Sequence, residues 1–194
     1  MDLKQALDIV SYKIGLRFGE SALGDEVFLD EKIHEAILDK AAGNEQTFDL
    51  KQYMVATKMV SAERSRLFTV KNEQFLTDNA TNDDVVQTES GMQYKVLQQG
   101  SGKSPSDSNE VTVNYTGKLI DGMVFDSSVE RGEPATFGVS KVITGWREGI
   151  KLMNIGSKYQ FFIPQALGYG DRGVGSDIPP FATLVFEVEL LEIS

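Results

Sequence analysis

Val142-Ile143-Thr144-Gly145-Trp146 holds the only tryptophan in the chain. An apolar β-branched pair gives way, through a residue suited to capping a helix and then a glycine, to a short helical pattern that runs to about Met153. A glycine-flanked corner between strand and helix leaves the flat indole face available to whatever packs on it. On these residues alone, Trp146 reads either as ordinary core or as a presented surface. Its neighbours along the chain bear on the choice.

All five prolines and 14 of the 18 glycines lie after residue 90. Proline and glycine break helices and mark strand ends, so residues 1 to 79 predict helices and residues 90 to 194 predict short strands. Residues 80 to 89 are rich in Asn, Asp, Thr and Gln and read as a polar linker. After it the apolar period becomes two: Met92, Tyr94 and Val96; Val111, Val113 and Tyr115; Phe137 and Val139; Tyr159, Phe161 and Ile163; Leu184, Phe186, Val188 and Leu190. Asp121-Gly122 between two apolar runs predicts a two-residue hairpin turn. With one helix after Thr144, the expectation for this part is an antiparallel sheet wrapped around one short helix, and for the whole chain an α+β fold.

In the first part, Leu3, Leu7, Val10, Ile14 and Phe18 recur at helical spacing, with Ser11, Gly15 and Gly19 on a neighbouring stripe. A second helix is predicted from Asp30 through Ile33, Ala36, Ile37 and Ala41 to Gly43, placed as a left-handed cap. A third begins near Asp49, where Gln52 completes a capping-box pattern, and runs to about Asn79, roughly 45 Å at 1.5 Å per residue. Leu50, Tyr53, Met54 and Val60 form its apolar stripe, whereas Ser61 to Arg66 is nearly bare of one and reads as a stalk. Three helices with so thin a core are marginal alone. Residues 1 to 79 therefore predict a homodimerisation module, with an intrachain three-helix bundle as the alternative.

Composition excludes several chemistries. The chain has no cysteine, which removes disulfides, thiolate metal sites and cysteine nucleophiles. Its one histidine, His34, lies far in sequence from the other features and reads as a solvated helix residue, so neither a metal site nor any cofactor is expected. A formal charge of −10, with no basic cluster, argues against nucleic acid. No apolar run approaches the 18 or so residues of a membrane span, so no membrane partner is expected. Met1-Asp2-Leu3-Lys4-Gln5 lacks the basic-then-apolar layout of a secretory signal, so the expected location is cytoplasmic, or periplasmic if a signal has been removed.

The aromatic residues Tyr115, Phe125, Phe137, Trp146, Tyr169 and Phe186 sit on separate elements, and most stand beside a glycine or a tight turn. Asp126 follows Phe125 directly, and Tyr169 lies in Gly168-Tyr169-Gly170. A sheet wrapped over a helix aims such residues into one apolar cleft with a few polar groups, the usual form of a small-ligand site.

Five motifs in order, Val113-Asn114-Tyr115-Thr116-Gly117, the Asp-Gly-Met-Val-Phe-Asp-Ser-Ser run from Asp121 to Ser128, Val142 to Trp146, Leu167-Gly168-Tyr169-Gly170 and the run from Ile178 to Phe186, resemble the FKBP-type peptidyl-prolyl cis-trans isomerases over residues 90 to 194. The helical part resembles, less specifically, the N-terminal dimerisation segment of Mip-like bacterial members, and the run from Phe125 to Pro134 is most similar to their cytoplasmic branch. The resemblance implies a pocket floored by Trp146, with Tyr115, Asp126 and Tyr169 as catalytic candidates. Phe125, Phe137, Val142, Ile143, Trp146 and Phe186 would bind substrate. The Ile143 backbone N–H and the Tyr169 hydroxyl would each hold a ligand carbonyl. It also implies proline-containing unfolded or partly folded polypeptides as partners, chaperone-like client binding by the dimer, and FK506/rapamycin-type macrolides as inhibitors. Two departures from the family pattern stand out. Ala135 replaces an aromatic found in many members and is expected to widen one wall, and Val174 and Asp177 occupy positions that are often His and an aliphatic, which sets an ionisable group at the rim.

The chemistry follows from the peptide bond itself. Rotation is resisted by about 18–20 kcal/mol because amide resonance must be lost, while both isomers of an Xaa-Pro bond are accessible. A catalyst need only favour the twisted amide, whose carbonyl is less polar than the planar form, and a dry aromatic pocket does so by stripping water from that carbonyl. A thousandfold acceleration corresponds to about 4 kcal/mol, which requires no nucleophile and no acid–base pair. Asp126 has two readings here: it orients the pocket tyrosines or acts on the rotating carbonyl, or it caps the turn made with Ser127 and Ser128. The competing function class is a non-catalytic holdase or adaptor that binds unfolded chains through the helical part.

Overall fold

The computed structural model describes residues 1, 2, 4–6, 8–12, 43 and 50–194. The chain forms two compact units, Met1–Arg66 and Leu67–Ser194. In the first unit, residues 4–6 and 8–12 are helical, and Ala6, Ala56 and Val60 are buried with Ile9, Val10 and Met59 packed against them. Gly43 has the expected left-handed conformation at φ 72, but the helix predicted before it, and His34 within that helix, lie outside the described residues. The third predicted helix is present as α1, Leu50–Asn79. Of its expected apolar stripe, Val60 is buried but Met54 is 63% exposed, and Ala56, outside that stripe, is buried. No described helix is long and apolar enough to cross a membrane.

The last turns of α1, from Leu67, belong to the second compact unit. Phe68, Asn72, Phe75, Leu76 and Asn79 recur at helical spacing and face the sheet. Phe68 packs on the core, and the Phe75 and Phe162 ring centroids lie 6.0 Å apart. The Asn79 amide donates to the Gln93 carboxamide oxygen at 2.8 Å, and the Gln93 amide donates to the Leu76 carbonyl at 2.8 Å. Residues 80–89, expected as a plain linker, contain the edge strand β1, Val85–Gln87, which pairs antiparallel with β2, Gln93–Gln98.

The remaining strands are β3 (Glu110–Leu119), β4 (Val124–Ser127), β5 (Ala135–Gly138), β6 (Lys158–Ile163) and β7 (Leu184–Ile193). They form one antiparallel seven-stranded sheet in the order β1-β2-β6-β7-β3-β4, with β5 also paired to β3. β4 and β5 lie end to end on the same edge of β3, Thr116 pairing with Ser127 and Val113 with Ala135. The short helix α2, Ser128–Arg131, fills the gap between them. Alternate residues of β3 point inward as period two requires, with Val111, Val113, Tyr115 and Leu119 buried.

The second helix of this unit, α3 (Thr144–Lys151), lies on the inner face of the sheet and buries Trp146 and Ile150. Its two glycines allow the close approach. A Cβ at Gly145 would stand 2.5 Å from the Ile163 Cγ2, and one at Gly149 would stand 2.8 Å from the Phe161 ring. The cap falls one residue earlier than predicted: Ile143 is the N-cap, with no side-chain cap bond, and Thr144 is already helical. The β3–β4 hairpin is also longer than expected. Leu119 N–H bonds the Met123 carbonyl at 2.9 Å, and Gly122 N–H bonds the Leu119 carbonyl at 3.0 Å with Gly122 at φ 91. That is a turn closed by a left-handed glycine, which suits Asp-Gly as well as a two-residue loop does.

Gly149→Ala tests the seating of α3. Alanine is the better helix former by about 1 kcal/mol, but its methyl meets the fully buried Phe161 ring. Urea unfolding should show a net loss of about 1–3 kcal/mol; a gain would mean that the helix stands off β6.

Candidate functional site

Between α3, the inner face of the sheet and the segment after β6 is a cavity of about 480 Å³. All nine residues singled out from the sequence line it: Tyr115, Phe125, Asp126, Phe137, Val142, Ile143, Trp146, Tyr169 and Phe186. Lys141, Val174, Asp177 and Ile178 complete the lining. Ala135 does not line it. It packs against the core from β5.

Each ring is placed by a different element. Trp146 is carried in the first turn of α3, and Tyr115, Phe137 and Phe186 stand on the facing strands. The indole meets all three nearly at right angles, with centroids 5.2 Å from Tyr115, 5.6 Å from Phe137 and 5.2 Å from Phe186. Edge-to-face contacts are the favoured aromatic geometry and lock the floor in one orientation. Trp146 is 4% exposed, so it is both readings at once: core on its edges and floor to the cavity. Its Nε1 is buried with no hydrogen-bond partner among the described residues. Phe125 packs at 85° on Phe186, and Gly117 makes that possible, since a Cβ there would stand 2.6 Å from both rings.

The polar side of the cavity is a three-residue network. The Tyr115 hydroxyl donates to Asp126 Oδ2, Arg131 Nη1 donates to Asp126 Oδ1, and Arg131 Nη2 donates to the Tyr115 hydroxyl at 3.0 Å. The guanidinium also lies 5.6 Å from the Tyr115 ring centroid. Burial by itself raises the Asp126 carboxyl, but the bonds from Tyr115 and Arg131 and the guanidinium charge outweigh it and hold the group below the usual carboxylate range. Burial, reinforced by the bond to Asp126, pushes the Tyr115 hydroxyl above the value of a free tyrosine. Burial and then the Asp126 charge do the same to Tyr169.

Sequence reasoning missed Arg131. It stands five residues beyond Asp126, and only α2, which turns the chain between β4 and β5, brings it back. Ser127 caps α2, accepting from Glu130 N–H at 3.2 Å, while the Asp126 carboxylate accepts from Tyr115, Arg131 and the Ser127 backbone. Ser128, fully buried, accepts the Tyr115 backbone N–H at 2.8 Å and fixes the strand that carries the tyrosine. Ile143 N–H makes no hydrogen bond among the described residues, as befits a group at the N-terminus of α3. Among the described residues no cluster of three or more His, Asp or Glu is placed to hold a metal.

Comparison with known proteins agrees with this architecture. Residues 101–191 match the family described as FKBP-type peptidyl-prolyl cis-trans isomerase, and residues 7–96 match the domain described as amino terminal to it. The chain is 46% identical over 192 residues to the FKBP-type 22 kDa peptidyl-prolyl cis-trans isomerase of Escherichia coli K12, covering 94% of this chain and 93% of that one. It is 37% identical over 198 residues to the outer membrane protein MIP of Legionella longbeachae, covering 96% and 85%. The crystal structure of FkpA from Escherichia coli superposes with a TM-score of 0.67 at 32% identity, over 95% of this chain and 88% of that one. The chain belongs to the FKBP-type peptidyl-prolyl cis-trans isomerases, and the bond it rotates is the Xaa-Pro peptide bond of polypeptide substrates.

Proposed function

We propose that the cavity above Trp146 is where the prolyl bond turns. The observation that carries this reading is an apolar floor and walls of fixed orientation beside one carboxylate that is held ionised. The proline ring lies on the indole, and Phe125, Phe137, Val142 and Phe186 exclude water from the amide. Dehydration raises the energy of the planar, charge-separated amide relative to the twisted one. The Ile143 N–H and the Tyr169 hydroxyl hold flanking carbonyls and so fix the chain on one side while the other rotates. The Asp126 carboxylate faces the partial negative charge on the planar carbonyl oxygen and disfavours it, with Tyr115 and Arg131 keeping that charge in place. No proton moves in this scheme.

The assembly proposed for residues 1 to 79 is a homodimer that presents two isomerase pockets to one client and binds unfolded chains as a chaperone does. Its support is that Met54 and Val55, on the α1 turns of the first unit, are 63% and 44% exposed. The cavity's size and aromatic lining also support binding of FK506/rapamycin-type macrolides, read out as inhibition of peptide isomerisation.

Three outcomes test these proposals. Because Asp126 titrates below and Tyr115 and Tyr169 above their ordinary values, isomerisation of a short Xaa-Pro peptide should be flat from about pH 5 to pH 9. A step near neutrality would require another titrating group. The same shift makes the Asp126 contribution to stability complete above the ordinary carboxylate pKa and lost as the pH falls through its lower folded value. Phe137→Ala removes one wall ring and should lower kcat/KM by about 10–100-fold, the equivalent of about 1.5–3 kcal/mol of apolar contact; a change under about twofold would take that ring out of substrate binding. Met54→Glu should halve the mass measured by sedimentation and weaken suppression of client aggregation, with peptide isomerisation kept within about twofold. A monomeric parent chain would remove the dimer.

A further inference from the structure

Asn72, on the face of α1 that packs on the sheet, is 2% exposed. A buried amide is retained when its donor and acceptor are both used, and here both are. Nδ2 donates to the Phe68 carbonyl one turn back at 2.9 Å. Oδ1 accepts the backbone N–H of Thr183 at 2.7 Å, across 111 residues of chain. Thr183 is itself 2% exposed. It ends the segment 168–183 that brings Tyr169, Val174, Asp177 and Ile178 to the cavity.

That segment is closed on itself in two places. Val174 and Ile178 exchange hydrogen bonds of 2.8 and 3.1 Å, and Phe181 N–H bonds the Gly170 carbonyl at 2.8 Å. Phe181 has φ 65, and among the described residues it is the one non-glycine at positive φ. A bulky side chain keeps that conformation only where its surroundings impose it. On one side of Phe181 is the bond to Gly170, next to Tyr169. On the other side, two residues on, is the bond from Thr183 to Asn72.

We propose that Asn72 is a positioning residue of the isomerase site. By holding the Thr183 N–H it keeps Phe181 in its strained conformation, and Phe181 in turn holds the Gly168-Tyr169-Gly170 turn that sets the tyrosine hydroxyl at the cavity. Ring packing by Phe68 and Phe75 gives α1 adhesion to the sheet but tolerates sliding, whereas one directional bond to a backbone amide sets the register. The end of the long helix is thus part of the catalytic unit as well as a tether. The inference rests on the reading that the Tyr169 hydroxyl acts on substrate.

The test uses the full chain and four proteins: parent, Asn72→Ala, Tyr169→Phe and the double variant. In Asn72→Ala, amide exchange of Phe181 N–H should accelerate by about tenfold or more, and kcat/KM should fall about tenfold while circular dichroism reports a folded chain. In the double variant the loss should match the larger single loss instead of the product of the two, because both act through one hydroxyl. Unchanged Phe181 exchange, or multiplicative losses, would overturn the proposal. If Tyr169→Phe alone leaves activity intact, the role given to Tyr169 fails, while Phe181 exchange still decides whether Asn72 holds the segment. Asn72→Leu, of matching size, carries the same readings if the alanine variant does not fold.

Discussion

The seating of α3 on β6 is the contact on which the rest depends. Gly145 and Gly149 stand one turn apart on the buried side of the helix, and the space their missing side chains leave is occupied by Ile163 and Phe161. Trp146, next to the first glycine, is lowered far enough into the sheet for its edges to meet Tyr115, Phe137 and Phe186 together. A helix held further out by two methyl groups would leave the indole without those contacts, and the cavity floor would lose its single orientation. Interiors packed to crystal-like density transmit such a displacement directly, so two glycines that touch no substrate control the shape of the site.

Electrostatics at the cavity is local and does not follow from the formal charge of −10. The Asp126 carboxylate is tied to a guanidinium and a phenol, and the three groups move one another in opposite directions. Tyr115 donates to Asp126 and accepts from Arg131, so removing any member leaves another with an unmet bond. A reaction that breaks no bond has no need of a group titrating near neutrality. The network holds a fixed charge beside an apolar surface, which is what favouring a less polar amide requires.

The period-two reading of the strands succeeded on the inner face and misjudged the outer one. Gln93 and Phe162 fall in positions that alternation assigns to solvent, yet they are 2% and 6% exposed. The reason is α1, whose last turns cover that face through Phe75, Leu76 and Asn79. Alternation records which face of a strand is apolar; it does not record that a polar glutamine has been given buried partners by a helix earlier in the chain. For the same reason the packing of residues 67 to 79 on the sheet was not legible in the sequence. Their sheet-facing positions include asparagines, and an asparagine bonded to a backbone amide looks, in sequence, like one in water.

By itself the sequence determined the switch from helix to strand near residue 90, the antiparallel sheet with a short helix near Thr144, the family, and the nine side chains that meet at the cavity. Those features follow from local periodicity, from where glycine and proline are allowed, and from ordered motifs that survive as residue patterns. Only the tertiary structure decided that Arg131 pairs with Asp126, that the compact units divide at residues 66 and 67, and that Asn72 holds Thr183. Each of these is a directional contact between groups whose sequence environments do not require it. Hydrogen bonds and ion pairs depend on distance and angle, and those exist only after the hydrophobic surfaces on either side have closed.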